Sequence, residues 1–405
     1  MTKQEDFQEI SHCGGQVTFT IVTNSDGVRG YRIGYSHSRP TPSSIFAVWA
    51  IPQGVAVADI NLGGVGTPWN PPPISGCFPV FIASDSHGCF GYQCPSCKGY
   101  WRAGGASLMC PYCATQGNRH GFLTDAQQKY VAQYCAMLGR ALASIKDGDH
   151  VIDMDAVADA VGKNVDKPEF YYAEESQQKR FECNYCGEFN DILGKFCFCS
   201  CCGTRNDLFE LENSTLPELR EHVESGGNYG VNVLQIVSSF DSFVAQYVRQ
   251  LVRRIPIRSA RRAKLEKMRF HNLEAAAIEL KSAFDIDLFH GLKVSEIAIA
   301  VRLFHRRHVY EHNAGVVDEK YISDSKDNGV RLGQAINETQ ASVHQLIGIT
   351  ARMAGNLHRE FHDIFPPKAE PISRHAERVK REALSKKVVA DKKDPNVARQ
   401  TLRGE

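Results

Sequence analysis

The chain has 405 residues, of which 42% are hydrophobic and 23% charged, and its formal net charge is +1. It is long enough for two to four domains, and its near-neutral balance means that any basic surface is local rather than global. No apolar run approaches the roughly 18 residues of a membrane span, and residues 1–10 are polar and acidic, unlike a secretory signal. We therefore expect a cytoplasmic protein with no membrane contact.

Residues 1–90 are predicted to form a β-rich domain to which no motif assigns a role. Short runs of β-branched and aromatic residues alternate with turn signals such as Asp26-Gly27 and Pro71-Pro72-Pro73. The strand candidates are residues 17–22, 31–35, 45–51, 55–60 and 78–83. Five short strands at this spacing predict a small antiparallel sandwich or barrel.

Eight of the fourteen cysteines fall into four Cys-x-x-Cys pairs, and twelve residues separate the two pairs of each cluster. In a chain without a secretory signal, this pattern favours metal binding over disulfides. Both clusters resemble zinc ribbons, in which two such pairs complete a closed, tetrahedral four-thiolate site. The predicted zinc ligands are Cys94, Cys97, Cys110 and Cys113 within residues 91–122, and Cys183, Cys186, Cys199 and Cys202 within residues 181–210. Cys197 and Cys201 remain alternatives in the second cluster.

A closed four-thiolate site has no open position for Lewis-acid chemistry, so we expect both zinc ions to be structural. Recognition of nucleic acid is the alternative role for the ribbons. The first ribbon combines positive charge with aromatic rings, as surfaces that bind single-stranded nucleic acid do. The residues are Lys98, Tyr100, Trp101 and Arg102. Between the ribbons, residues 123–180 predict a helical linker region that begins with a helix capped by Thr124.

After the second ribbon the hydrophobic pattern becomes almost wholly helical. Residues 230–365 are predicted to form a bundle with short connections. Its helices are expected at residues 233–253, 260–283, 294–313 and 331–361. The following segment, residues 366–405, carries eleven basic and six acidic side chains with few large apolar ones. This composition predicts a basic tail that is disordered or a loose helix.

The strongest local charge lies within the bundle. Residues 247–271 contain nine lysines or arginines against one acid, Glu266, which gives a net charge of +8. Exposed helix faces usually mix both signs, whereas a run of one sign favours a polyanion as partner. We therefore expect this segment to bind nucleic-acid phosphates, and a solvated helix face is the alternative.

The third bundle helix is predicted to end in two histidines, His308 and His312, one turn apart and preceded by Arg307. An arginine followed five places later by histidine is a weak pattern, since this composition yields about one such pair by chance. A second pair, Arg32 and His37, lies in the β-rich region. The position of Arg307 at the end of a bundle helix, after the basic segment, distinguishes it.

Here the sequence resembles the HEPN superfamily of helical-bundle ribonucleases, over residues 230–365. That family carries an arginine, a polar residue, three further residues and a histidine, matched by Arg307, His308 and His312. The resemblance implies a metal-independent endoribonuclease that cleaves RNA by attack of the 2′-hydroxyl on the adjacent phosphate. It also implies a homodimer that joins two copies of the site, and a regulated effector of antiviral defence or toxin type.

The residue types suit this chemistry. Histidine titrates near neutral pH, and the guanidinium fork of arginine matches phosphate oxygens. We expect His312 to be the principal general base or acid, Arg307 the clamp on the transition state, and His308 an orienting group or second proton carrier. A trigger ligand or protein would act at the N-terminal region.

The sequence thus predicts a multidomain α+β protein, and two other functions remain open. One is a non-catalytic, dimeric zinc-ribbon protein that binds nucleic acid or regulates, with the bundle serving only to dimerise. In that case His308 and His312 would cap the helix end, and Arg307 would pair with Glu311. A zinc hydrolase is disfavoured, because every predicted ligand set is closed.

Overall fold

The computed structural model describes residues 15–36, 44–63, 68–85, 87–143, 146–162, 170, 173 and 177–393, with side chains described as far as residue 385. The chain divides into a β-rich unit, residues 1–203 with 368–405, and a helical unit, residues 204–367. The α+β class, the β-rich N-terminal region and the helical C-terminal region are as predicted. Across the described part of the chain, every helix is too short or too polar to cross a membrane.

All five predicted strands of the N-terminal region are present, and they divide between two antiparallel sheets. They are β1 (Gln16–Thr23), β2 (Arg29–Ser36), β3 (Ile45–Ile51), β4 (Val55–Ile60) and β5 (Phe78–Ala83). One sheet has the order β4-β3-β5, and β3 is buried along its length because both of its faces are covered. The other sheet includes a later strand, described below.

The helical linker region contributes to the core of the β-rich unit. Helix α1 (Asp125–Leu142) begins at Thr124, whose hydroxyl accepts from the Gln127 N–H in a capping box, as the sequence predicted for the cap. Helix α2 (Met154–Gly162) follows a strand, Gly148–Asp153, that the sequence did not predict. This strand is called β10, after the strands β6 to β9 that are described below. This strand pairs with β1 in the order β2-β1-β10. Residues 1–90 therefore share their core with later segments.

The two cysteine clusters share one four-stranded sheet. Its strands are β6 (Phe90–Gln93), β7 (Tyr100–Ala103), β8 (Gln178–Glu182) and β9 (Phe189–Leu193), in the order β6-β7-β9-β8. At the antiparallel seam between β7 and β9, Arg102 lies opposite Asp191 and donates to its carboxylate at 3.2 Å. Both side chains are buried. The modules predicted as separate ribbons are thus joined edge to edge.

This sheet buries most of the predicted aromatic–basic surface of the first ribbon. Trp101 is fully buried and stacks on Tyr92, and its indole N–H donates to Ser107 Oγ at 3.0 Å. Tyr100 and Arg102 are also buried. This burial favours the structural role over the alternative of a single-strand platform, because the rings and the guanidinium pack and join the sheet.

The helical unit is built around three long helices, α5, α8 and α10, which pack against one another. Its helices are α3 (Asp207–Glu210), α4 (Leu216–Glu224), α5 (Tyr229–Arg254), α6 (Ser259–Glu266), α7 (Leu273–Phe284), α8 (Val294–His312), α9 (Glu319–Ser325) and α10 (Gln340–Ile364). A π-helical turn, Leu211–Thr215, joins the first two.

Two predicted bundle helices differ from those observed. The helix expected over residues 260–283 is split into α6 and α7, because Asn272 caps α7 by accepting from the Ala275 N–H while Phe270 turns into the core. The helix expected from residue 331 begins at Gln340. Its cap is Thr339, whose hydroxyl accepts from the Ser342 N–H in a capping box.

The basic tail contains helix α11 (Ala369–Lys393), which belongs to the β-rich unit. The backbone N–H of Lys368 donates to the Cys202 carbonyl at 2.8 Å, and Ile372 packs against the second cysteine cluster. The start of the tail is therefore a helix, which is one of the two forms that the composition predicted. Residues 394–405 lie outside the described residues.

Candidate metal centres and an arginine–histidine cluster

The eight predicted cysteines form two compact clusters. Within each cluster the four sulfur atoms lie within 4.8 Å of one another. In the first cluster, Cys94 Sγ lies 3.5 Å from Cys113 Sγ, and Cys97 Sγ lies 3.6 Å from Cys110 Sγ. Because a Zn–S bond is about 2.3 Å, two sulfurs of a tetrahedral zinc site lie about 3.8 Å apart. The spacing therefore fits a tetrahedral metal ion.

The second cluster has the same dimensions. Cys183 Sγ lies 3.7 Å from Cys202 Sγ, and Cys186 Sγ lies 3.5 Å from Cys199 Sγ. Of the two alternative ligands, Cys197 packs in the large core of the β-rich unit. Cys201 is buried beside the cluster but outside the group of four. The geometry thus favours the ligand set that the spacing predicted.

All four Cys-x-x-Cys turns have one backbone conformation. The N–H four positions after the first cysteine donates to that cysteine's carbonyl, at 2.7–2.9 Å. These donors all have positive φ, between 57° and 82°, and are Lys98, Ala114, Gly187 and Gly203. The tight turn directs both sulfurs of a pair towards one point. In the first cluster, backbone N–H groups of Cys97 and Cys113 also face the sulfurs of Cys94 and Cys110. Four repeats of one turn around two sulfur clusters are typical of sites that bind a metal.

Arg307, His308 and His312 lie on the last turns of α8, which the sequence placed correctly. The rings of His308 and His312 are 4.7 Å apart between centroids. The Arg307 guanidinium lies 2.7 and 3.0 Å from the two oxygens of Glu311, and Glu311 Oε2 lies 3.4 Å from His312 Nε2. The three predicted side chains and Glu311 therefore form one cluster.

The buried residues of α8 are Ala300, Leu303, Phe304 and Val309. His308 is half-buried, whereas the His312 side chain is 55% exposed. Burial is the main cause that lowers the pKa of His308, and Lys320 and His312 contribute. These surroundings favour its uncharged form.

Arg306, the neighbour of Arg307, has a different environment. Its guanidinium lies 2.8 Å from Glu338 and 3.0 Å from Asp327, and both carboxylates are nearly buried. Tyr321 donates to the same Asp327 at 2.7 Å. Arg306 is consequently committed to holding α8 against the 327–338 segment. Arg307 instead pairs with one carboxylate, Glu311, which is more exposed than Asp327 and Glu338.

The basic segment meets this cluster at His271. Arg307, Glu311 and Arg269 all act on the pKa of His271, and Asp241 on α5 lies 3.8 Å from its Nδ1. The sequence analysis included His271 only as the last residue of the basic segment, and it gave no role to Asp241. Sequence spacing could not have identified either residue, because Asp241, His271 and Arg307 lie on three different elements.

The basic segment itself is mostly free to bind an anion. Arg261 and Lys264 pair with Glu279, and Arg254 lies over the Phe365 ring at 3.7 Å. The other six form no ion pair with any described residue and are Arg249, Arg253, Arg258, Arg262, Lys267 and Arg269. All but Arg262 are exposed.

No family model matches the chain, and comparisons with curated proteins and with solved structures also find no match. Inferences about function therefore depend on the geometry of these residues.

Proposed function

We propose that the helical unit is a metal-independent endoribonuclease of HEPN type. The observation that carries the proposal is the convergence of Arg307, His308 and His312 at the end of α8. The same unit carries six basic residues that form no ion pair with any described residue. The basic segment binds RNA phosphates, and the Arg307 fork holds the phosphate under attack. His312, which is the most exposed of the three, moves the proton, and His308 orients the substrate or carries a second proton.

We further propose that the two cysteine clusters each hold a structural zinc ion. Four cysteine thiolates at tetrahedral spacing are a donor set typical of zinc, and they leave no open coordination position. The zinc ions would hold the β6-β7-β9-β8 sheet together and take no part in RNA cleavage. The HEPN resemblance extends the proposal to a homodimer and a regulated role in antiviral defence, with a trigger acting on the β-rich unit.

The test is cleavage of RNA by the zinc-loaded full chain in excess EDTA. We expect products with 2′,3′-cyclic phosphate ends, and a loss of activity of at least about 10²-fold in His312→Ala. The control variant is His290→Ala, which removes an exposed histidine from the same unit. Equal cleavage by wild type and His312→Ala would contradict the proposal.

The second candidate is a dimeric protein that binds RNA without cleaving it. The bidentate pair between Arg307 and Glu311 favours it, since such a pair one turn apart also occurs on helices without a site. This candidate predicts RNA binding with a steep salt dependence and no products after prolonged incubation. The basic residues Arg258 and Lys267 would weaken binding on substitution in either case, so turnover is the discriminating measurement.

A further inference from the structure

Asp241 fixes the backbone of the segment that connects α6 to α7. Its Oδ1 accepts from the N–H of Phe270 at 2.6 Å and from the N–H of His271 at 2.9 Å. Phe270 is buried, whereas the His271 side chain is 34% exposed. One carboxylate on α5 therefore positions the imidazole and leaves it accessible to a ligand.

Two contacts show that α5 and α8 run antiparallel around this position. The rings of Phe240 and Phe304 meet edge to face with centroids 5.7 Å apart. At the start of α5, Gly230 leaves room for the Tyr310 ring, which a Cβ would approach to 2.6 Å. Arg307 lies between Phe304 and Tyr310 on α8. Asp241 directly follows Phe240, so His271 and Arg307 lie on neighbouring parts of the helix pair.

The charged groups around His271 come from each of these elements. Burial and the positive charges of Arg307 and Arg269 lower its pKa, while Asp241 and Glu311 act in the opposite direction. The net effect lowers the pKa of His271. Its uncharged form, which can accept a proton, is therefore favoured.

We propose that His271 is a catalytic proton acceptor of the Arg307 site, facing the arginine from the α6–α7 connection. The proposal rests on the ribonuclease function proposed above. His271 takes the proton of the 2′-hydroxyl as the 2′-oxygen bonds to phosphorus. The bond from phosphorus to the 5′-oxygen breaks, and His312 donates a proton to that oxygen. The products are a 2′,3′-cyclic phosphate and a 5′-hydroxyl, and exchange with water restores both histidines.

This division of roles is tested with an RNA oligonucleotide that has one cleavable linkage. It is prepared in two forms, in which the leaving 5′ atom is either oxygen or sulfur. A 5′-thiolate leaves without protonation, so a sulfur substrate rescues a variant that lacks the acid but not one that lacks the base. We expect His312→Ala to be slow on oxygen and to recover on sulfur. We expect His271→Ala to be at least about 10²-fold slower on both substrates.

Three further variants control the experiment. His271→Gln keeps a polar side chain of similar reach in case His271→Ala fails to fold, and circular dichroism with urea unfolding checks both. Asp241→Asn is a positioning variant; we expect a smaller loss, since the amide oxygen can still accept from the two N–H groups. His290→Ala should match wild type, and wild type should lose activity on the acidic side of its pH profile as His271 becomes protonated.

The outcomes separate the two proposals. If folded His271→Ala and His271→Gln cleave the oxygen substrate like wild type while His312→Ala does not, the role of His271 is overturned and the ribonuclease function stands. If the sulfur substrate rescues His271→Ala, His271 is not the base. If wild type cleaves neither substrate, both proposals fail together.

Discussion

Arg307 and Glu311 lie one turn apart at the end of α8, and the carboxylate occupies both prongs of the guanidinium fork at 2.7 and 3.0 Å. A phosphate would need the same two N–H directions. At the proposed site the carboxylate would therefore compete with a bound phosphate.

We predict that Glu311→Gln raises the affinity of the chain for inorganic phosphate severalfold, because the competing negative charge is removed. The stability of the fold should change by less than about 0.5 kcal/mol, as for other exposed pairs. Titration followed by the NMR signals of His308 and His312 measures the affinity. Asp285→Asn is the matched control, since Lys281 on α7 and Asp285, which directly follows that helix, form a similar pair of 2.7 Å. Equal or weaker phosphate binding by Glu311→Gln would show that the carboxylate is no competitor.

Substitution of Arg306 should mainly reduce stability, whereas substitution of Arg307 should mainly reduce RNA cleavage. Arg306→Gln leaves Asp327 and Glu338 buried without their cation, and we expect it to lower the free energy of unfolding by about 3–5 kcal/mol. Arg307→Gln should lower it by about 1 kcal/mol or less, while abolishing RNA cleavage. Urea unfolding and the cleavage assay measure the two effects. Comparable destabilisation by both variants would argue that Arg307 is a structural residue.

Removal of the metal should unfold the cysteine clusters. We expect about two zinc ions per chain by elemental analysis, one for each cluster, and a loss of β structure when a strong chelator removes them. Cys97→Ser or Cys186→Ser should each lower the metal content. Cys135→Ser, which changes a buried cysteine outside both clusters, should keep it unchanged. Full metal content in both ligand variants would contradict the assignment.

The free energy of unfolding should fall on acidification, because His358 takes up a proton more readily in the unfolded chain than in the folded one. Burial, together with His362 and Arg205, lowers the pKa of His358 to about 3, and its Nδ1 lies 2.7 Å from the Tyr247 hydroxyl. In the unfolded chain the pKa is about 6.5. Above that pH both states are neutral, and the stabilisation is fully present. As the pH falls towards 3, only the unfolded state gains the proton.

This residue alone should therefore lower the free energy of unfolding by about 1.4 kcal/mol per pH unit between about pH 6 and pH 3. Urea unfolding at pH 7, 6 and 5 measures the slope. His358→Gln retains a hydrogen-bonding side chain and should have a shallower slope by that amount. An unchanged slope would place the acid sensitivity on other groups.

Local patterns predicted local structure well in this chain. Thr124 and the four Cys-x-x-Cys turns act over a few residues, so the sequence identified the α1 cap and both cysteine clusters. The strand β10 was missed because Gly148–Asp153 is mostly exposed and acidic, and it becomes a strand by pairing with β1. The seam between Arg102 and Asp191 joins residues far apart in the chain. Such pairs depend on how distant segments pack, and spacing along the sequence does not predict that packing.

The environment of His271 was not predicted for the same reason. This histidine was predicted to lie inside one helix over residues 260–283. Asn272 and Phe270 instead interrupt that helix, and the break allows Asp241 to hold the connection. The position of a helix boundary therefore determines the surroundings of His271.

The hydrogen bond from Lys368 to the Cys202 carbonyl joins the two points at which residues 204–367 depart from the β-rich unit. The backbone leaves this unit after Gly203 and re-enters it at Lys368, beside the second cysteine cluster. The ends of the two β-rich segments are therefore adjacent, and we expect a short linker from Gly203 to Lys368 to give a β-rich unit that folds without residues 204–367.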